Sequence, residues 1–378
     1  MNIIVSGGGT GGHIYPALTI IRAIQQREPS ARILYVGTPH GLEADIVPRE
    51  GLNFIAVDLA GFERHLSFEN VLRAWRAVRA VARARGIVHG FHPDIAIGTG
   101  GYVAGPILLA ASLAGVPTLV QEQNAVAGVT NRILSRFATA IAVGMEDARR
   151  VFPAEKTYVT GNPIRPEVLT ATRAEGAAAF DFDPSKKTVL VSGGSRGART
   201  INRAMVEVIC RAAQQTEVQY LHVTGAEEYE DTCARIRDAG VDVSQYPHLR
   251  VVPYLYNMPQ AMAMADIAVF RAGATGLAEL AARGVPAILI PYPYAAENHQ
   301  EKNARAMEAA GAAEVILNRS LDGTVLSAAL DRLLADDARR DAMAAAMKRL
   351  GKPEAAEEIA ALALRIGKRE GGIRCSRN

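Results

Sequence analysis

Residues 5–11 read Val5-Ser6-Gly7-Gly8-Gly9-Thr10-Gly11, and residues 191–197 read Val191-Ser192-Gly193-Gly194-Ser195-Arg196-Gly197. Both spell V-S-G-G-x-x-G, and they lie 186 positions apart. Each follows a β-branched run and opens a stretch of helical character. A strand that runs through glycines into a helix is the first unit of a Rossmann-like domain. Its recurrence predicts two such domains, α/β and doubly wound, facing each other across a cleft.

Working outward, short apolar runs alternate with Ala/Leu/Arg-rich stretches. Strands are predicted at Ile3–Ser6, Ile33–Val36, Ile95–Ile97, Thr118–Gln121 and Ile141–Val143. A second set falls at Thr188–Ser192, Tyr220–Val223, Ile267–Phe270 and Ala287–Ile290. Regular alternation implies parallel sheets with helices on both faces. Thr170 to Lys187, rich in Ala, Thr, Asp and Pro, reads as a linker. The expected domains are 1–163 and 164–337. A helical stretch over 338–366 can pack on either, and the tail 367–378 is expected to be disordered. A chain of 378 residues suits two domains at roughly 150 residues each.

Apolar residues make up 49% and charged residues 21%, which excludes a disordered, fibrous or supercharged nucleic-acid-binding chain. The net charge of +3 is unevenly spread: +3 over 1–163, −3 over 164–366 and +3 over the tail. Val71 to Arg85 alone carries five arginines and no acid. Cys210, Cys233 and Cys375 are too scattered for a disulfide framework or zinc site, which suits a reducing cytosol. The N-terminus lacks the charged and apolar regions of a leader. The longest apolar stretch, Tyr102 to Val120, is broken by glycine and proline and reads as helix, turn and strand. A soluble chain is expected, able to sit on a membrane surface.

Gly7 to Gly12 satisfies G-x-G-x-x-G, whose backbone N–H groups suit a phosphate at a helix N-terminus. Read alone it suggests NAD(P), yet the next strand ends without the acid that grips an adenosine ribose; Glu43 lies beyond it, in a loop. His13 follows on the first turn, where the helix dipole favours a neutral imidazole able to accept a proton; a residue that only closes the loop is equally compatible. Gly98 to Tyr102 and Glu122 to Ala125 follow strands, where open sheets bind ligands. Asn124 offers amide groups to sugar hydroxyls, and Arg165 a fork for phosphate, sugar or a surface ion pair.

Phe270 to Leu280 runs from strand through a small-residue turn into a helix whose N-terminus suits anions. Glu279 on that helix can accept two hydrogen bonds from a ribose diol. Pro291 to Pro293 and Asn298 to Gln300 form a loop suited to a sugar. Asp181-Phe182-Asp183 is a D-x-D in the predicted linker, and no metal site is assigned. Phe68, Val71, Leu72, Trp75 and Val78 make an apolar stripe flanked by Arg73, Arg76, Arg79 and Arg83. That stripe is either a core contact or a basic amphipathic surface for anionic lipid.

Together these motifs resemble the MurG family, N-acetylglucosamine transferases of peptidoglycan synthesis. The pieces are GGGTGGHIYPAL at 7–18, LEADIVP at 42–48, GTGGYVAGP at 98–106, EQNAVAGVTNR at 122–132, GNPIR at 161–165, SGGSRGARTIN at 192–202, RAGATGLAEL at 271–280 and ENHQEKNA at 297–304. They fall in family order over roughly residues 1–310. The resemblance implies a glycosyltransferase B-type fold and inverting transfer of GlcNAc from UDP-GlcNAc to the C4 hydroxyl of the MurNAc of an undecaprenyl-pyrophosphoryl-MurNAc-pentapeptide. No cofactor or obligatory metal is implied.

It also implies residue roles. His13 is the candidate base. Thr10, Gly11, Gly12, Asn124, Arg165, Ser195, Leu255, Tyr256, Ala274, Thr275, Gly276, Leu277, Ala278, Glu279, His299 and Gln300 would face the donor. Glu43 and Tyr102 would face the acceptor, and Leu72, Arg73, Trp75, Arg76 and Arg79 the membrane. Where some members have a second glutamine and a serine, this chain has His299 and Ala272. Peripheral attachment to the cytoplasmic side of the plasma membrane follows, with other cell-wall synthesis proteins as open partners and nucleic acid excluded. A UDP-GlcNAc 2-epimerase-like enzyme, an NAD-binding oxidoreductase and a non-catalytic nucleotide-sugar binding module are the competing readings.

Overall fold

The computed structural model describes residues 1–57 and 69–371; over 69–78 and 369–371 only the helical backbone is described. The chain divides into two compact units: Met1–Ile164 together with the chain from Pro353 onward, and Arg165–Lys352.

In the first unit, seven parallel strands are found among the described residues. They are β1 (Asn2–Gly7), β2 (Arg32–Gly37), β3 (Asn53–Ala56), β4 (Ile95–Gly100), β5 (Thr118–Glu122), β6 (Ala140–Val143) and β7 (Thr157–Val159), in the order β3-β2-β1-β4-β5-β6-β7. The second unit's described residues form six: β8 (Lys187–Ser192), β9 (Val218–Val223), β10 (Leu249–Val252), β11 (Ile267–Phe270), β12 (Ala287–Leu289) and β13 (Ala313–Val315), in the order β10-β9-β8-β11-β12-β13. All pairings are parallel. The chain reverses its direction of travel across each sheet between β1 and β4, and between β8 and β11. Such switch points open a crevice at the carboxyl ends of the strands. In each unit the V-S-G-G-x-x-G motif ends the strand at that point.

Both faces of each sheet are covered, so the inner strands are apolar throughout. Ile3, Val5, Ile95 and Ile97 pack on one side with Ile14, Ile21 and Ile24; Ile4, Ala96 and Val120 pack on the other with Ile107 and Leu108. The second unit repeats this with Val189, Val191, Ile267 and Val269 against Leu190, Ala268 and Phe270. Burial of this kind stabilises by about 1.5–3 kcal/mol for each large aliphatic side chain.

Three stretches differ from the sequence expectation: the predicted linker, the stretch 338–366, and the start of the tail expected to be disordered, where the last helix continues to Gly371. The predicted linker contains a helix, Arg173–Phe180, opened by a capping box in which Thr172 and Glu175 bond each other's backbone N–H. The stretch 338–366 is two helices. Asp337–Leu350 packs on Ala274–Arg283, whereas Ala355–Gly371 packs on Gly11–Arg27 in the first unit. The chain crosses between them at Gly351-Lys352-Pro353, where proline cannot continue a helix. In the D-x-D, Phe182 is buried, and Asp183 accepts from the Ser185 N–H and hydroxyl at 2.8 and 2.6 Å. This is a turn-closing aspartate, whose carboxyl the Ser185 hydroxyl holds below the usual range. Among the described residues no group of His, Cys, Asp or Glu is arranged to hold a metal.

Candidate functional site

The first crevice is built by loops that touch backbone to backbone. Gly9, Gly100 and Gly101 all have positive φ, at 83°, 106° and 81°. A Cβ at Gly100 would lie 2.8 Å from the His13 ring, and one at Gly101 would lie 2.5 Å from the Gly8 carbonyl oxygen. The loops after β1 and β4 therefore mesh only as glycines. Tyr35, buried on β2, donates to the Gly7 carbonyl at 2.6 Å and props the first loop from below.

His13 lies half-buried in the first turn of the helix Gly11–Arg27. Its Nδ1 is 3.0 Å from the Thr99 carbonyl oxygen and 3.1 Å from Gln123 Oε1. Both neighbours are acceptors, so Nδ1 carries the hydrogen and Nε2 is the lone-pair nitrogen of the neutral ring. Gln123 is itself oriented, since its amide nitrogen donates to the Thr99 carbonyl at 2.5 Å and to Gln121 Oε1. Gln121 in turn donates to Asn162 Oδ1 at 3.0 Å, and Asn162 donates to the Gln123 carbonyl at 2.9 Å. Gln123, Gln121 and Asn162, all buried, were not assigned roles from the sequence. Amides at the end of a buried strand and just past it are the signal that points to Gln121 and Gln123; Asn162 follows β7 and has no such signal.

Glu122, beside them, is buried and accepts four hydrogen bonds, from Asn124 N–H, Asn124 Nδ2, Gly128 N–H and Asn131 Nδ2, at 2.9 to 3.2 Å. It orders the loop that presents Asn124. Thr10 and Gly12 are exposed at the helix start, and Tyr102 stands exposed after β4. Glu43 is placed differently from its expected role. It is not in a loop but begins the helix Glu43–Arg49, fully buried beneath the first glycine loop. Its carboxylate accepts from Gly9 N–H at 3.1 Å, Thr38 N–H at 3.0 Å and Thr38 Oγ1 at 2.7 Å. Burial works against the charged form, but these donors outweigh it and hold the carboxyl below its ordinary value. Glu43 is a brace for the loop rather than a surface group. Its negative charge against Gly9 also opposes a pyrophosphate there.

In the second crevice, Gly194 and Gly197 have φ of 88° and 75°, and a Cβ at Gly197 would overlap the Thr224 carbonyl. Ser195 is exposed at the loop tip. Below the loop His222 is fully buried, with Nε2 3.0 Å from Asn202 Oδ1. Asn202 Nδ2 donates to the Thr224 carbonyl at 2.9 Å. Burial pushes the His222 imidazole down to about 3. Ala274, Thr275, Gly276, Leu277, Ala278 and Glu279 lie on the helix Ala274–Arg283, whose N-cap, Gly273, is extended. The first N–H groups of that helix suit an anion. Glu279 meets Arg165 in a two-pronged ion pair of 2.8 and 3.1 Å.

Arg271, directly after β11, donates from Nη1 to the carbonyls of Ile290 and Pro291 beyond β12, each at 3.1 Å, and to Asn318 Oδ1 at 2.8 Å. Its guanidinium lies 5.7 Å from the centre of the Tyr292 ring. Burial pushes Arg271 down to about 10. Tyr292 N–H donates to Gln300 Oε1 at 3.0 Å, and His299 Nδ1 donates to the Ala296 carbonyl at 2.7 Å. Glu297 and Asn298 both adopt positive φ just ahead of these two residues, at 55° and 53°, backbone strain of the kind that collects at functional loops. Leu255 and Tyr256 follow β10 at the sheet's edge; Tyr256 is 91% exposed, its ring edge-on to Tyr254 at 4.9 Å. Within this unit Arg165 and Glu279 are joined directly, Gln300 is tied to the Tyr292 loop, and Leu255 packs against the cluster that contains Phe270 and Leu277, while Tyr256 projects outward from the loop after β10.

Of the expected membrane-facing residues, the side chains of Leu72, Arg73, Trp75 and Arg76 lie outside the described residues, as do 372–378. Arg79 is exposed, with Arg83 and Arg85, on the helix Glu69–Phe91, which buries Ala80, Ala84 and Val88 at helical spacing.

A family model described as the glycosyltransferase family 28 N-terminal domain matches residues 3–143, and one for the corresponding C-terminal domain matches 188–359. The chain is 48% identical to a UDP-N-acetylglucosamine–N-acetylmuramyl-(pentapeptide) pyrophosphoryl-undecaprenol N-acetylglucosamine transferase from Desulforamulus reducens, over 95% of this chain and 97% of that one. It is 46% identical to a protein of the same name from Listeria welshimeri, over 97% and 100%. A crystal structure of MurG from Acinetobacter baumannii superposes with a TM-score of 0.75 at 27% identity, covering 96% of this chain and 99% of that chain. A UDP-GlcNAc 2-epimerase from Neisseria meningitidis shares the fold, with a TM-score of 0.66 at 15% identity over 97% and 100% of the two chains. The two switch-point sheets, their paired glycine loops and these near full-length matches make one case: the chain belongs to the MurG family of N-acetylglucosamine transferases, within glycosyltransferase family 28 and its two-domain B-type fold.

Proposed function

We propose that this protein transfers GlcNAc from UDP-GlcNAc to the C4 hydroxyl of the MurNAc of undecaprenyl-pyrophosphoryl-MurNAc-pentapeptide, giving the disaccharide lipid, UDP and an inverted anomeric centre. The observation that carries the reading is the orientation of His13, with Nδ1 turned to the Thr99 carbonyl and Gln123 Oε1. A ring held through Nδ1 is fixed in one tautomer and one orientation, as a positioned general base must be. In a single displacement the acceptor oxygen attacks the anomeric carbon as the bond to the diphosphate breaks. His13 Nε2 takes the hydroxyl proton, and the departing UDP gains negative charge. The N–H groups at the start of Ala274–Arg283 and the loop around Ser195 are suited to stabilise that charge. Glu279 takes the ribose hydroxyls, and Gln300 and Asn124 the donor sugar.

The acceptor lipid places the enzyme against the cytoplasmic leaflet, with Arg79 and its neighbours toward anionic headgroups. Among the described residues no helix is long and apolar enough to cross a membrane. The test is incubation with radiolabelled UDP-GlcNAc and the undecaprenyl-linked monosaccharide acceptor, with and without EDTA. Label moving into the disaccharide lipid in both conditions is the expected result. Epimerised or merely bound UDP-GlcNAc, without transfer, overturns it. The oxidoreductase reading is disfavoured by the buried Glu43 carboxylate, which occupies Gly9 N–H.

A further inference from the structure

Arg165 reaches Glu279 because a proline and a short helix come directly after it. Pro166 restricts the preceding residue to extended backbone, and Arg165 sits at φ −64°, ψ 133°. The short helix Pro166–Thr170 then packs on Ala274–Arg283, with Arg283 Nη1 donating to the Val168 carbonyl at 3.3 Å. This docking lays the guanidinium along the carboxylate, Nε to Oε1 at 2.8 Å and Nη2 to Oε2 at 3.1 Å. The Glu279 side chain is 4% exposed and that of Arg165 28%. A parallel fork fixes the plane of a carboxylate as well as neutralising it. It engages one lone pair on each oxygen and leaves about two of the four for other donors. A vicinal diol needs two acceptors at a set spacing and angle. An arginine committed through both prongs to Glu279 is not arranged as a point charge for phosphate.

Resting on the reading of Glu279 as the ribose-binding residue, we infer that Arg165 is a positioning residue for nucleoside recognition: it orients the Glu279 carboxylate toward the ribose hydroxyls, and the diphosphate is bound without it.

The test is calorimetric binding of UDP, 2′,3′-dideoxy-UDP and uridine to the wild type, R165M, R165K and E279Q. Wild type is expected to prefer UDP over dideoxy-UDP by at least about tenfold, the value of hydrogen bonds to a charged acceptor. In R165M that preference collapses: UDP weakens toward dideoxy-UDP, dideoxy-UDP stays near its wild-type affinity, and uridine weakens by the same factor as UDP. A preference ratio measured within one protein is independent of the fraction folded. R165K decides the matter should R165M fold poorly, because an ammonium keeps the charge but cannot form the fork. Loss of the preference in R165K supports positioning. The inference is overturned if either variant weakens dideoxy-UDP as much as UDP while leaving uridine unchanged, the pattern of a phosphate contact. A wild type or E279Q protein whose preference for UDP does not depend on Glu279 removes the ribose reading itself, and a wild type that does not bind UDP removes the proposed function.

Discussion

At the scale of single residues, the chemistry of the first crevice depends on how one histidine is turned. Replacing His13 by alanine removes the proposed base while leaving the glycine contacts of the loop. Turnover is expected to fall by roughly 10²–10⁴, the usual worth of a positioned base. A base works only when deprotonated, so the acid limb of the kcat/KM profile is expected to vanish with it. Near-normal turnover with an unchanged pH profile means that another group takes the proton. Glu122 is poorly placed for that task, with four donors already on its carboxylate.

His222 provides a different pH dependence, one of stability. Above pH 6.5 it is neutral in both the folded and unfolded chain, and contributes no pH dependence. Below that, the unfolded chain binds a proton that the buried ring, held down to about 3, does not. Stability of the second unit is therefore expected to fall as pH drops from about 6.5 toward 3, by at most about 1.4 kcal/mol per pH unit. Amide hydrogen exchange along Tyr220–Val223 at pH 7.5 and 5 measures it, with H222Q as the reference that lacks this acid loss. These residues also mark a limit of sequence reading. The motifs single out His13, Glu279 and Arg165, but not the ion pair that joins the last two. The burial of Glu43 was not legible either, because most of its donors are backbone N–H groups, which have no letter in the sequence.

At the scale of elements, the sequence showed nine strands, and each of them lies within a sheet. The four it did not show, β3, β7, β10 and β13, are the four outermost strands of the two sheets. The reason is physical. An inner strand of a parallel sheet is buried on both faces and reads as a continuous apolar run. An outermost strand is short and half-exposed, and Asn53-Phe54-Ile55-Ala56 or Ala313-Glu314-Val315 carries no such run. The helix at 173–180 was legible in principle, since Thr172-x-x-Glu175 is a capping box; its small apolar content hid it. The glycine loops were legible as loops, but which glycines are obligatory follows only from contacts. Gly197 has φ of 75° and abuts the Thr224 carbonyl. Alanine there must move the loop off its His222–Asn202–Thr224 support. We expect G197A to weaken UDP binding by at least about tenfold through lost backbone hydrogen bonds, with the first unit's hydrogen exchange unchanged. An unaltered affinity would mean that this loop does not contact the nucleotide.

At the scale of the whole molecule, the repeated motif disclosed two domains, but not that the last helix returns to the first. Ile359, Ala360 and Ala363 are fully buried with Ile20, Ile21 and Ile24. Composition alone is compatible with packing on either unit. The uneven charge has a comparable resolution. On Glu69–Phe91 the described half turns Ala80, Ala84 and Val88 inward and leaves Arg79, Arg83 and Arg85 exposed. Cations on an exposed face are the ordinary outcome for any surface helix. They acquire a task here only because the proposed acceptor is anchored in a membrane whose inner surface is negative. Each basic residue at such a surface contributes about 1 kcal/mol, screened within a Debye length. Reversing Arg79, Arg83 and Arg85 to glutamate is therefore expected to reduce binding to vesicles containing anionic lipid by at least about tenfold at low salt, and to leave the weaker binding to neutral vesicles unchanged. Co-sedimentation at two salt concentrations measures both. Transfer to a short-chain, water-soluble acceptor should proceed at the wild-type rate in the same variant, because none of these arginines belongs to either crevice. Vesicle binding that survives the reversal assigns the membrane contact to another surface, and a matching loss with the soluble acceptor shows a damaged fold.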